Sequence, residues 1–367
     1  MRTIEIQTLA DFDRHAAVSH RMRGWQVQDV DLTTRVEVLA RLDPAGALFL
    51  GCVLAPASDD DLRRRGALVF PSVPDVPFDA YRVGLYTPED LYAGLADGYD
   101  ATPDARIYAW STTANRVRPG GTSVRDSLAM ALHDNAIDDA LAEHVARLRV
   151  VGVMGGHAVD RGRPTYAAAA GLGADLARAG LTVATGGGPG AMEAANLGAT
   201  LADRDAVAEA LPQLARVPSY RPSVTAWARA AFTVRSQLGP SASPVRSLGI
   251  PTWYYGHEPP NPFCERIAKY FRNAIREDIL LRVCRAGIVF LPGAAGTVQE
   301  VFQSACDNYY ADAASVAPIV LVGKRFWTEE LGAWPLLRSL AVGRPFEGHV
   351  HLVDRPDEVA AALGQQP

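Results

Sequence analysis

From about residue 148 onward, short apolar runs alternate with longer stretches whose apolar residues recur at helical spacing. The runs are Arg149-Val-Val-Gly-Val-Met154, Leu181-Thr-Val-Ala184, Ile250-Pro-Thr-Trp-Tyr-Tyr255, Gly287-Ile-Val-Phe-Leu291, Pro318-Ile-Val-Leu-Val322 and His349-Val-His-Leu-Val353. Strands without polar alternation are buried on both faces. Their alternation with helices predicts an α/β fold, a Rossmann-like parallel sheet of about six or seven strands flanked by helices. Between the first two runs, Tyr166–Ala179 reads as an alanine-rich helix stopped at Gly180, a C-terminal cap. Residues 200–247 break the rhythm with scattered prolines and read as an insertion or a lid.

Before residue 140 the pattern is less regular. Strand candidates Ala47–Leu54 and Gly66–Phe70 precede the proline-rich stretch Pro71-Ser-Val-Pro-Asp-Val-Pro77. Leu128, Leu132, Ile137, Leu141, Val145 and Leu148 lie near helical spacing and predict a helix over Asp126–Arg147. The division expected is a smaller α/β or α+β accessory domain over residues 1–140, of unstated role, and a Rossmann-like nucleotide-binding domain over 141–367.

Composition narrows the class. With 367 residues, 48% hydrophobic and 21% charged, the chain is long enough for two buried cores and too apolar to be disordered. Net charge is −5, and the basic triplet Arg63–Arg65 follows Asp59–Asp61, which makes a neutral solvated segment. Nucleic acid is therefore not the expected partner. Cys52, Cys264, Cys284 and Cys306 show no C-x-x-C spacing and read as reduced thiols. Met1-Arg-Thr-Ile-Glu-Ile lacks a signal-peptide core, and no segment reaches the roughly 20 apolar residues of a membrane span. A cytoplasmic location and no membrane contact are expected.

Two glycine-rich turns carry the chemistry. Thr185-Gly-Gly-Gly-Pro-Gly-Ala-Met-Glu193 follows one apolar run, and Leu291-Pro-Gly-Ala-Ala-Gly-Thr-Val-Gln-Glu300 follows another; each opens a helix. Bare backbone N–H groups at a helix start form an anion site, and two in one α/β domain point to a ligand bearing a phosphate. The first sheet strand ends in Met154-Gly-Gly-His157 and the second in Ala184-Thr185-Gly186, with neither G-x-G-x-x-G nor an acidic ribose ligand. A dehydrogenase is thereby disfavoured. Lysine occurs only at 269 and 324, so neither glycine turn is a Walker loop, and phosphate would be held by amides and arginine. Each turn also has a plain structural reading: a tight β–α turn at Gly186–Gly190, with Pro189 near the helix start, and a capping box at Thr297-Val-Gln-Glu300.

Gly-Gly-Gly-Pro-Gly-Ala-Met in the first turn and Pro-Gly-x-x-Gly-Thr-x-x-Glu in the second resemble the paired motifs of the LOG ("Lonely guy") family. The likeness covers about residues 148–355, and residues 1–140 look like the extra domain of its larger bacterial pyrimidine/purine nucleotide nucleosidases. The resemblance implies hydrolysis of the N-glycosidic bond of nucleoside 5′-monophosphates, releasing free base and ribose 5-phosphate, with no organic cofactor. It also implies catalytic Glu300 paired with an arginine from Tyr270-Phe-Arg-Asn-Ala-Ile-Arg-Glu-Asp278, Arg276 being the better match and Arg272 the runner-up. Phosphate and nucleotide contacts are expected from Gly186, Gly187, Gly188, Gly190, Met192, Gly293, Gly296 and Thr297. Ala294 departs from the family, which usually has glycine there, and its methyl narrows the backbone of the loop.

Just past a strand candidate, Tyr254, Tyr255, His257 and Glu258 are candidate base contacts, while Asn261-Pro262 equally reads as a helix start. His157 reads by default as an ordinary loop histidine, and no His/Cys/carboxylate cluster has metal-ligand spacing. The alternative function is a non-catalytic nucleotide or molybdenum-cofactor carrier on the same fold. A pyridoxal-dependent decarboxylase is set aside, because neither lysine lies by a glycine turn. The family implies a homo-oligomer, and Phe271, Ile275, Ile279 and Phe302 supply apolar surface near the arginine helix.

Overall fold

The computed structural model describes residues 3–115, 123–237, 245–254 and 258–364. The chain forms two compact units, Met1–Leu85 with Thr112–Ala140, and Tyr86–Ser111 with Leu141–Pro367. Residues 86–111, assigned above to the first domain, thus count with the second unit.

In the smaller unit, strands β1 (Ile4–Ile6), β2 (Trp25–Gln28), β3 (Leu48–Leu50) and β4 (Leu68–Phe70) form a parallel sheet in that order. A helix follows each of the first three: Leu9–Val18, Val36–Arg41 and Pro56–Arg64. Ile6, Val27, Phe49 and Val69 lie opposite one another across the sheet, so one row points to one face. Phe12, Leu39 and Leu62, one from each helix, join that row in a single core. The strands are only three or four residues long, and β1 and β2 each carry polar residues. That is why periodicity reveals neither β1 nor β2.

The larger unit holds seven parallel strands: β5 (Val150–Met154), β6 (Thr182–Thr185), β7 (Ser247–Gly249), β8 (Arg266–Ile267), β9 (Ile288–Phe290), β10 (Ile319–Val322) and β11 (Val350–Val353). Their order is β11-β10-β9-β5-β6-β7-β8, the α/β Rossmann-like sheet expected from the sequence. The chain runs outward from β5 through β6 to β8, then returns to lay β9 on the other side of β5. A topological switch point therefore falls between β5 and β9, where α/β sheets open a crevice at the strands' carboxyl ends.

One strand was misplaced by the sequence. Over its described residues, 250–254, the expected strand Ile250–Tyr255 is not a strand: β7 ends at Gly249, Pro251 follows, and Thr252 forms a single bridge to Tyr270. Proline cannot donate to a ladder, so the pairing ends before it. The two-residue β8 is too short to show as a pattern. Residues 200–247 contain helices Arg204–Leu214 and Val224–Ser236, the second burying Trp227, Ala228, Ala231 and Val234.

Helices Pro164–Arg178 and Ala191–Leu201 pack against Val151, Val153 and Val183 on one face of the sheet. They touch backbone to backbone: a Cβ on Gly173 would lie 2.1 Å from the Ala195 carbonyl oxygen, and one on Gly198 1.8 Å from that of Ala170. This contact holds the start of helix Ala191–Leu201 at the strand ends. Helix Asn273–Val283 reaches the opposite face, where the missing side chain of Gly152 leaves room for Cys284 Sγ. Among the described residues no helix is long and apolar enough to cross a membrane.

Candidate functional site

Both glycine turns stand at carboxyl ends of strands, the first after β6 and the second after β9. Helix Ala191–Leu201 has Gly190 as N-cap, and helix Ala295–Tyr310 has Ala294; neither start has a side-chain cap. Their first-turn amides are thus left by side chains for an anion. Since the second helix begins at Ala295, Thr297 is its third residue and Glu300 its sixth. The capping-box reading of Glu300 fails on that register. Pro189 likewise precedes the cap rather than occupying the first helical position.

The first turn is held by a buried polar network. Thr185 Oγ1 accepts from the Gly187 amide at 2.9 Å and donates to Asn196 Oδ1 at 2.6 Å. Asn261 Nδ2 donates to the Gly188 carbonyl and to Asn196 Oδ1, both at 3.0 Å, and the Asn261 amide donates to the Gly187 carbonyl at 2.8 Å. Asn261 is fully buried, so it is a clamp on the turn and not the helix cap its Asn-Pro sequence suggested. With the Gly187 amide bound to Thr185 and the Ala191 amide to the Gly156 carbonyl at 3.0 Å, Gly187 is removed from the expected anion donors. Gly190 takes φ of +75°, and a Cβ there would stand 2.6 Å from the carbonyl oxygens of both Gly156 and His157. Glycine is required at that crossing.

In the second turn, Thr297 is buried and folds its hydroxyl back over Gly293, where a Cβ would meet Oγ1 at 2.2 Å. Gly296 faces open space. Ala294 has φ of −100° and ψ of −157°, extended backbone open to any residue, so its methyl imposes no strain on the loop.

Arg276 links the two turns. Its Nη1 lies 3.7 Å from Glu300 Oε1, and its Nη2 is 3.4 Å from where a Cβ on Gly186 would stand. Arg276 Nε is buried without a hydrogen-bond partner among the described residues. Neighbouring carboxylates are otherwise engaged: Glu277 accepts from Asn273 at 2.6 Å and Gln299 at 2.7 Å, and Asp278 pairs with Arg282 at 3.2 Å. Arg276, not Arg272, is therefore the arginine that meets Glu300. Burial pushes the Glu300 carboxyl up to about 7, the Arg276 guanidinium pulling the other way and Glu277 adding to the rise.

Glu258 also reaches the first turn: its Oε2 would be 2.6 Å from a Cβ on Gly188, and its Oε1 is 3.1 Å from His157 Nδ1. Met192 fills the space between, its Sδ and Cε each 2.9 Å from the Cβ positions of Gly186 and Gly188. Tyr255 and His257 lie outside the described residues; Tyr254 is exposed. Beside the first turn opens a cleft of about 240 Å³, lined by His157, Pro189, Gly190, Ser219, Tyr220 and Arg221 among others, and by neither Glu300 nor Arg276. Glu193 borders it from below and is taken up by Arg161, whose Nε donates to Oε1 at 3.0 Å while Nη1 reaches the Trp227 carbonyl at 3.1 Å. Tyr220 and Arg221 carry no signal in the sequence, and His157 reads there as an ordinary loop residue; the helix Val224–Ser236 that follows Arg221 brings its segment back over the first turn. Among the described residues no group of three His, Cys, Asp or Glu side chains is placed to hold a metal ion.

No family model matches the chain, and no curated protein matches it. Solved structures of similar path include the molybdenum cofactor binding protein of the phototrophic bacterium Rippkaea orientalis, 19% identical with a TM-score of 0.37, covering 59% of this chain and 96% of that one. Another is the Moco carrier protein of Chlamydomonas reinhardtii, 18% identical with a TM-score of 0.33, covering 60% and 97%. These are loose likenesses, and no residue role passes from those proteins to this one.

Proposed function

We propose that the cleft at the carboxyl ends of β6 and β9 binds a nucleoside 5′-monophosphate and hydrolyses its N-glycosidic bond, the activity that the resemblance to the LOG family implies. The observation that carries this reading is the Arg276–Glu300 pair, which ties together two helix starts left without side-chain caps. The 5′-phosphate is held by amides at the start of helix Ala295–Tyr310 and by the Thr297 hydroxyl, with further donors on the first turn. Glu300 activates water and stabilises the cationic ribose that forms as the bond breaks. A carboxyl poised near 7 suits a general base at neutral pH. Arg276 keeps enough positive potential beside Glu300 to hold it partly ionised, and donates to phosphate or sugar.

The second reading is a carrier that binds a nucleotide or molybdenum cofactor without cleaving it. One feature favours it: the cleft beside the first turn is lined by neither Glu300 nor Arg276. Incubation with a panel of nucleoside 5′-monophosphates and the matching nucleosides, with assay of free base and ribose 5-phosphate, decides between the two. Turnover of monophosphates but not nucleosides supports hydrolysis at a phosphate-reading site. Tight binding without any product supports the carrier, and equal turnover of AMP and adenosine overturns the phosphate reading.

A further inference from the structure

Gly186 and Gly188 present one face of the first turn, and the space their missing side chains leave is filled by two charged tips. Arg276 Nη2 lies over Gly186 and Glu258 Oε2 over Gly188, with the Met192 thioether between them. Glu300 flanks the same guanidinium at 3.7 Å. Two carboxyl groups and one arginine therefore gather at this face of the first turn. Glycosidic cleavage uses two carboxyl groups in different roles, one acting on water or the sugar and one protonating the leaving group.

The surroundings of the two differ. Glu300 has 15% of its side chain exposed and faces Arg276. Glu258 is 29% exposed and meets His157 Nδ1 at 3.1 Å, while the His157 side chain is 54% exposed. A titratable path thus runs from solvent through an imidazole to Glu258, whereas the ion-pair partner of Glu300 is a guanidinium, which holds its proton at any ordinary pH. We propose that Glu258 is a second catalytic residue of this site, donating a proton to the departing base, and that His157 is the positioning residue which aligns it and restores its proton. The proposal rests on the hydrolase reading above.

The step balances. As the C1′–N bond breaks, its electron pair stays with the base, which takes the Glu258 proton. Water adds its oxygen to C1′ and gives a proton to Glu300. Glu258 regains a proton from solvent through His157, and Glu300 releases one to solvent, so the net reaction is addition of one water. Burial raises the Glu258 carboxyl above its ordinary range, while His157, Arg276 and Arg221 oppose the shift.

The test compares leaving groups on wild type, Glu258→Gln and His157→Asn. The substrates are a nucleoside 5′-monophosphate and the 4-nitrophenyl glycoside of ribose 5-phosphate, whose leaving group departs without protonation. Glu258→Gln is expected to slow the nucleotide by about 10²–10⁴-fold, the usual worth of a general acid, and the nitrophenyl glycoside by less than about tenfold. His157→Asn is expected to displace the alkaline limb of the pH–kcat profile for the nucleotide and to leave the nitrophenyl rate unmoved. Equal losses on both substrates, or no loss on the nucleotide, overturn the proposal while leaving the hydrolase reading intact. If the wild type cleaves neither substrate, the hydrolase reading fails and this inference goes with it.

Discussion

Glu300→Gln separates burial from catalysis in one variant. The Glu300 carboxyl titrates near 7 in the folded protein instead of the ordinary 4.5, because burial disfavours its charge. Below about pH 4.5 it is protonated in both folded and unfolded chains and burial costs nothing. Between about 4.5 and 7 the unfolded chain loses the proton first, so stability falls as pH rises, and above 7 the full cost is present. At about 1.4 kcal/mol for each pH step of one between those two values, the penalty grows by roughly 2–3 kcal/mol from pH 5 to pH 8. Glutamine cannot ionise and escapes it. Urea denaturation of both proteins at pH 5 and pH 8 is expected to show the variant gaining about that much on wild type over the interval, a difference in which the amide's own packing cost cancels. Turnover of the best nucleotide substrate is expected to fall by orders of magnitude. A stability difference independent of pH would refute the burial argument, and near wild-type turnover would refute the catalytic role.

Other substitutions probe the glycine turns. Gly188→Ala is expected to fold nearly as well as wild type, since the new methyl meets only the movable tips of Glu258 and Met192, yet to weaken activity by displacing Glu258. Gly190→Ala, at φ of +75° against two carbonyl oxygens, is expected to lower Tm markedly; a Tm equal to that of Gly188→Ala would contradict the geometry. Lys269→Met is expected to cost about 3–5 kcal/mol in urea denaturation, because it strands a buried charge. Lys269 Nζ lies 2.6 Å from Asp104 Oδ1, both side chains wholly buried, and a loss under about 1 kcal/mol would show the pair to be dispensable. Activity under the hydrolase reading is expected to decline as pH falls through about 7, as Glu300 is protonated. Light scattering is expected to find a dimer or a dimer of dimers, since Ile275, on the Arg276 helix, is 38% exposed; a fully active monomer of 39.3 kDa would sink that expectation.

The sequence by itself determined five strands of the larger sheet, β5, β6, β9, β10 and β11, and the two turns, because all of these are local. Apolar runs such as Val150–Met154 and Ile319–Val322, four or five residues long and alternating with helix-length stretches, read as strands buried on both faces, and a glycine turn between a strand and a helix start brings backbone amides to the strand end. The Thr185–Asn196–Asn261 clamp was not legible, since Asn196 and Asn261 are 65 residues apart and Asn261 looks locally like a helix cap. Nor was the choice between Arg276 and Arg272, which are one helical turn apart; only the packing of helix Asn273–Val283 beside helix Ala295–Tyr310 puts Arg276 against Glu300. The status of Glu300 was open in the sequence for the same reason: Thr-x-x-Glu fits a cap until the helix is seen to begin two residues before the threonine. Tertiary structure decided which charged groups meet beside the first turn. Charge pairing across a cleft depends on distances between elements, and those are set by close contacts such as Gly173 on Ala195 and Gly198 on Ala170, which leave no periodicity in the chain to read.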